Sequence, residues 1–309
     1  MDKIKGCIYG VLVGDALGTT YEFEKETTIM LSKTLNIVGG GPFNVAIGQL
    51  TDDSEMTLAL AYSIINKKKY DKEDVAKAYI RWLKSDPIDN GISTAKALRK
   101  AKNFQDTVNN SIKYNSKSLS NGFLMRISPL AVIGKNMDKY KLNKIIKDEI
   151  SITHSNKECL IAGKFYIYLL IYILNGGEDY YNYSLQLSGK DYTLKKIVEG
   201  ALKSPYYIRY KNVKIDVDGQ YMGYYVVSLQ IALYCLFNSK TYQSAMRTII
   251  KLGGDTDTNC AISGALLGAK FGYNKIPKKW LKTILEADYD RPEEFKLNEE
   301  KLKLLFNRQ

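Results

Sequence analysis

The chain has 309 residues, 45% apolar and 25% charged, which is enough to bury a substantial core and typical of a globular protein. Its longest apolar run, 165–174, is too short for a membrane span, and the start Met1-Asp2-Lys3-Ile4-Lys5 lacks the apolar segment of a secretion signal. A cytoplasmic protein without a membrane partner is therefore expected. The net charge of +12 comes from lysines spread along the whole chain among Asn, Ile and Tyr, with no aromatic-interleaved basic motif, so nucleic acid is not expected as a stable partner.

Apolar residues recur at three- and four-residue spacing through most of the chain, as in Met56, Ala59, Leu60, Ile64 and in Leu160, Ile161, Phe165, Tyr168, Leu169. This periodicity predicts helices over 3–17, 53–67, 71–84, 91–102, 127–134 and 139–152. It predicts six more over 156–174, 193–202, 224–237, 241–251, 257–271 and 277–286. Period-two alternation is confined to short pieces such as Val213 to Val217, so a small hairpin is expected near 206–222 in an otherwise all-α protein. The polar stretches 103–121 and 175–192 are expected to be loops. One domain spanning 1–309, a compact orthogonal helical bundle with its core over about 4–285, is the expected architecture, and a monomer is the expected state.

Four cysteines, Cys7, Cys159, Cys235 and Cys260, form no Cys-x-x-Cys pair, and the chain has a single histidine. A disulfide framework and a classical zinc site are both disfavoured, so a metal here would be held by oxygen, as Mg²⁺, Mn²⁺ or Ca²⁺ are. Two acidic motifs could hold one. Thr51-Asp52-Asp53 follows a glycine-bearing loop and opens the helix that continues from Met56. Asp255-Thr256-Asp257-Thr258 follows Gly253-Gly254 and opens a helix whose Ala261, Gly264, Ala265, Gly268 and Ala269 make a smooth face for close packing. Each motif alone has a plain alternative, because acids at a helix start cap free amides and complement the helix dipole. Paired, they supply four carboxylates and several neutral oxygens, which suits a binuclear site for hard metals.

The motifs continue in order along the chain: Gly10-Val11-Leu12-Val13-Gly14-Asp15-Ala16-Leu17-Gly18, then Glu22, Thr51-Asp52-Asp53, Ser120-Asn121-Gly122 leading to Met125-Arg126, His154, Gly223-Tyr224, and Gly253 to Thr258. In this order, over roughly residues 4–281, the sequence resembles the ADP-ribosylglycohydrolase family. The resemblance implies an all-helical fold holding two Mg²⁺ or Mn²⁺ ions, with Thr51, Asp52, Asp53, Asp255, Asp257 and Thr258 as ligands. It also implies that Glu22 lies beside the metals and binds one or accepts a proton from the attacking water. Asp89-Asn90-Gly91-Ile92-Ser93-Thr94 is similar to the Asp-Ile-Gly-x-Thr-Thr loop of the dinitrogenase-reductase type of member. There the acid is a catalytic candidate and the amides after it approach a diphosphate; without the family, Asp89 could simply start a turn and Ser93 cap a helix. By the same resemblance Asn90, Gly91, Ile92, Ser93, Ser120, Asn121, Gly122, Met125, Arg126, His154 and Tyr224 are substrate-binding residues.

The expected activity is hydrolysis of the bond between ADP-ribose and a side chain or small acceptor, the partner being an ADP-ribosylated protein or a small-molecule ADP-ribose conjugate. Two rivals stay open on the sequence. Isoprenoid synthases are all-α and use paired acidic motifs, but Asp52-Asp53-Ser54-Glu55-Met56 lacks the last acid of their Asp-Asp-x-x-Asp signature. A catalytically inactive ADP-ribose-binding or structural relative would keep the scaffold without the reaction.

Overall fold

The computed structural model describes residues 1–307 apart from 33, 207 and 212. Among these are fifteen α-helices: α1 (Asp2–Gly18), α2 (Asp52–Lys67), α3 (Lys72–Lys84), α4 (Ile92–Leu98), α5 (Phe104–Asn115), α6 (Ser128–Gly134), α7 (Lys139–Ser151) and α8 (Lys157–Leu174), followed by α9 (Tyr180–Ser188), α10 (Tyr192–Ala201), α11 (Tyr225–Asn238), α12 (Tyr242–Leu252), α13 (Thr256–Phe271), α14 (Lys278–Leu285) and α15 (Glu299–Phe306). A two-stranded antiparallel hairpin, β1 (Ile208–Tyr210) and β2 (Val213–Ile215), pairs Ile208 with Ile215. The fold is all-α, as the periodicity predicts. No described helix is long and apolar enough to cross a membrane.

Each predicted helix is present, with both ends within one residue of expectation except for 91–102, which stops at Leu98. Lys100 takes a left-handed backbone conformation (φ 63) that a continuing helix cannot contain. Two predicted loops are corrected: 103–121 contains α5 and 175–192 contains α9. The inward face of α5 is Phe104, Thr107, Ser111 and Asn115, so its buried stripe is mostly polar and leaves no apolar period to read. Its polar groups are put to use, Asn115 donating to the carbonyls of Ser93 (2.7 Å) and Thr153 (2.9 Å). The chain past residue 285 also joins the core, with Phe295, Leu302, Leu305 and Phe306 buried against it.

The feature that positions the site is the pairing of α1 with α13. Gly6, Gly10, Gly14 and Gly18 recur every fourth residue along one face of α1 and meet Gly268, Gly264, Cys260 and Thr256–Asp257 of an antiparallel α13. A methyl group on Gly10 would lie 2.1 Å from the carbonyl oxygen of Gly264, so the two backbones touch. This contact brings residues 14–22 against the start of α13, close to the start of α2.

Candidate active site

Asp15, a lone charge in the apolar run of α1, points at the first turn of α2. Its Oδ2 accepts from the backbone N–H of Thr51 (3.0 Å) and of Ser54 (3.2 Å), and its Oδ1 accepts from the Thr51 hydroxyl (2.7 Å). Four residues past α1, Glu22 does the same for α13: its Oε2 accepts from the backbone N–H of Asp257 (3.1 Å) and the Thr256 hydroxyl (3.2 Å). Both helix starts are thus capped by carboxylates from the N-terminal segment. Glycines 253 and 254, at φ 72 and 77, turn the chain tightly enough for the Gly254 N–H to reach Glu24 O and its carbonyl to accept from Phe23 N–H.

Asp15 and Glu22 take most of the capping, and of the motif acids Asp257 spends one oxygen, Oδ1, on the Thr258 N–H (2.6 Å). Asp53 Oδ1 and Asp257 Oδ2 are buried without any hydrogen-bond partner in the structure. Carboxylate oxygens of Asp15, Asp53 and Asp257, and of Glu22, Asp255 and Asp257, gather within 4.8 Å of one another. Burial first, then their neighbours' negative charge, pushes Asp52, Asp53, Asp257 and Glu22 well above the ordinary carboxylate range. Asp52 is raised further by Asp89, and Asp257 by Glu22 and Asp53. Burial also raises Asp15 and Asp255, against hydrogen bonds to Ser54 and Thr51 and to Asn121.

Above this cluster opens a cleft of about 370 Å³ with no lysine or arginine in its described lining. Buried like charges without a counter-cation are unstable, and oxygen donors this dense fit a hard divalent ion. Asp53, Asp255 and Asp257 of the predicted ligands thus fit a divalent ion, in groups completed by Asp15 and Glu22, whereas Asp52 belongs to neither group.

Of the predicted residues, Glu22, Asp52, Asp255 and Thr258 form the acidic floor of the cleft, and Thr51, Asp53 and Asp257 lie buried in and under it. Asp89, Asn90, Gly91, Ile92 and Ser93 make one wall, where burial raises the Asp89 carboxyl to about 6. Ser120, Asn121, Gly122 and Met125 make the next. Asn121 spends its amide on Asp255 Oδ2 (2.7 Å) and Ser228 Oγ (2.8 Å), so it orients a carboxylate of the floor.

Three predicted substrate contacts are not in the lining. Arg126 is fully buried, with its Nε on Glu149 Oε1 (3.0 Å), its Nη1 on Gly122 O (3.2 Å) and its guanidinium over the Tyr79 ring. His154 lies behind Ser120, its Nε2 2.7 Å from the Ser120 hydroxyl and its Nδ1 2.8 Å from that of Thr153, and burial holds it neutral by lowering it to about 3. Tyr224 stands at the N-cap of α11 with its ring against Tyr221. Conversely, Phe23, Thr94, Met222 and Gly223 line the cleft although nothing in the sequence reading assigns them a role. Asp15 is the other omission, and its signal was a single acid inside the otherwise uncharged stretch 6–18 of α1.

A mostly helical chain whose cleft is lined with carboxylates has the makings of an all-α metal-binding enzyme, and comparison with known proteins says of which kind. The ADP-ribosylglycohydrolase family profile matches residues 1–308, and the chain belongs to that family. It is similar to the ADP-ribosyl-[dinitrogen reductase] glycohydrolase of Rhodospirillum rubrum, 30% identical over 291 residues that cover 92% of this chain and 90% of the relative. An ADP-ribosylarginine hydrolase of Pseudomonas putida is 27% identical over 92% of this chain and 74% of its own length. A solved ADP-ribosylglycohydrolase-related protein complex superposes with a TM-score of 0.79 at 27% identity, covering 99% of this chain and 96% of the other.

Proposed function

We propose that the protein is a metal-dependent hydrolase that cuts the glycosidic bond at C1″ of an ADP-ribosyl group on a protein side chain or a small acceptor. The observation that carries this is the partnerless Asp53 and Asp257 oxygens within a carboxylate cluster that floors the cleft of a family member. Thr51, Asp52, Asp53, Asp255, Asp257 and Thr258 would hold two Mg²⁺ or Mn²⁺ ions, which when bound supply a Lewis acid and a template for the distal ribose and a water. The acids around the ribose also stabilise positive charge as the C1″ bond breaks.

Glu22 is pinned to the start of α13 by two hydrogen bonds to Oε2, so it serves to hold the floor together. Asp89, in the cleft wall and raised by burial to about 6, would move the proton, because a carboxyl near neutral pH can both take and return one. The wall of Asn90, Gly91, Ser93, Ser120 and Gly122 offers amides and hydroxyls to the diphosphate and ribose. The similar proteins named for ADP-ribosylarginine and for ADP-ribosyl-dinitrogen reductase favour a protein-linked substrate.

The test is release of free ADP-ribose from a panel of arginine-, serine-, nucleic-acid- and small-molecule-linked ADP-ribosyl substrates, with Mg²⁺, Mn²⁺ or EDTA. Metal-dependent release from at least one is expected. Release undiminished in EDTA would remove the metal from the reading, and binding of ADP-ribose without release from any substrate would reduce the protein to a binder.

A further inference from the structure

The segment after α14 lies beyond the region that carries the family motifs, yet it delivers one buried cation to the edge of the site. Arg291, with only 7% of its side chain exposed, forms a two-pronged ion pair with Glu55, Nε to Oε1 at 2.7 Å and Nη2 to Oε2 at 2.8 Å. Glu55 is in the first turn of α2, three residues after Asp52, and is fixed from its other side by Trp82 Nε1 at 2.7 Å. The guanidinium's remaining N–H groups turn outward to the chain that leaves α3. Nη1 donates to Ser85 O (2.7 Å) and more weakly to Asp86 O (3.3 Å), and Nη2 donates to Ser85 Oγ (2.9 Å).

What Arg291 holds is a tight turn of backbone three residues before Asp89. Asp86 adopts a left-handed conformation (φ 54), which an aspartate accepts more readily than most residues with a side chain. Pro87 follows, with its φ fixed by the ring and its side chain buried, which narrows the conformations open to the short stretch between residue 86 and Asp89. Five planar donors can grip a carboxylate and three loop oxygens together; an ammonium cannot.

From this geometry we infer that Arg291 is a positioning residue for the reaction: through Glu55 it fixes the 85–89 loop to the helix that opens with Asp52 and Asp53, and so sets where Asp89 stands over the acidic floor. This rests on the reading of Asp89 as the proton-carrying residue.

The variants Arg291→Lys, which keeps the charge and loses the fork, and Glu55→Met with Arg291→Met, which removes the clamp without orphaning a charge, test it. Each is measured alone and with Asp89→Asn for kcat and KM, for Mn²⁺ affinity by calorimetry, and for amide hydrogen exchange over 85–91. Arg291→Lys is expected to lower kcat tenfold or more with Mn²⁺ affinity changed less than threefold, to speed exchange over 85–91, and to cost little once Asp89 is Asn. An equal loss in the presence and absence of Asp89→Asn, or unchanged exchange over 85–91, would overturn the inference. If Asp89→Asn by itself leaves turnover intact, the reading of Asp89 fails instead, and the exchange data still decide whether Arg291 holds the loop.

Discussion

Glu22 accepts a hydrogen bond from the backbone N–H of Asp257 at 3.1 Å, so a residue four past the end of the first helix caps the helix that carries the second acidic motif. This bond partly offsets the burial that raises Glu22, and Asp257 keeps one oxygen free of protein partners. The same division between capping and free carboxylates holds at α2, where Asp15 caps and Asp53 is left open.

Asp53→Asn and Asp257→Asn remove one charge each from a cluster of buried like charges. Without metal, each variant is expected to be as stable as the parent or more so, because repulsion falls. With metal the order reverses. Parent protein at about 100 times the dissociation constant gains about 2.7 kcal/mol, and the variants gain little. Urea unfolding with EDTA and with Mn²⁺ checks this; equal stabilisation of parent and variants by Mn²⁺ counts against these two ligands.

The pH dependence follows from carboxyls that are raised in the folded state. The folded protein binds their protons more tightly than the unfolded chain, so this contribution to stability is full below the ordinary carboxylate value and is lost as pH rises. For Asp89 the window runs from 3.8 to about 6. Metal-free protein is expected to lose stability through that range, Asp89→Asn to lose less, and metal-loaded protein to show a flatter profile. Metal binding near pH 6 should also release protons, seen as a dependence of calorimetric enthalpy on the buffer.

Gly10→Ala puts a methyl group 2.1 Å from Gly264 O, and backbone against backbone has no side chain to move aside. A loss of about 3 kcal/mol is expected, with metal affinity falling too, because Asp15 rides on the same helix and Glu22 follows closely after it. Gly91→Ala is the contrast. Its backbone is not left-handed and the nearest atom, Thr94 Oγ1, lies 4.0 Å from the added carbon, so stability should be unchanged while KM rises several-fold. Thermal melts beside steady-state kinetics separate the two.

Arg126→Met leaves Glu149, Tyr70 and Tyr79 without their buried cation, a loss of about 3–5 kcal/mol. If Arg126 instead bound substrate directly, the variant would keep its melting temperature and lose only KM. Chemical denaturation of Arg126→Met and Arg126→Lys distinguishes the outcomes.

Helices with an apolar stripe announced themselves, and so did the pairing of two acidic motifs at helix starts. What stayed hidden were helices whose inward face is polar, as in α5 with Thr107, Ser111 and Asn115, since only tertiary partners reveal that such residues are buried. The acids of Thr51-Asp52-Asp53 could equally have been caps, and only the contact of α1 with α13 decides it by bringing Asp15 and Glu22 to do the capping. Arg126 and His154 sit beside the cleft in sequence terms, but a side chain's direction is set by packing, which turns both inward behind the wall.

The glycine face joining α1 to α13 also fixes when the site can come into being. On a ribosome adding about 5–20 residues per second, the first helix waits roughly ten seconds to a minute for its partner to emerge. Through that interval Asp15 and Glu22 have no helix end to receive them, so neither metal affinity nor turnover can precede completion of nearly the whole chain. A truncation that spares both acidic motifs but stops before Gly264 and Gly268 would leave the newborn first helix as prey for chaperones and proteases.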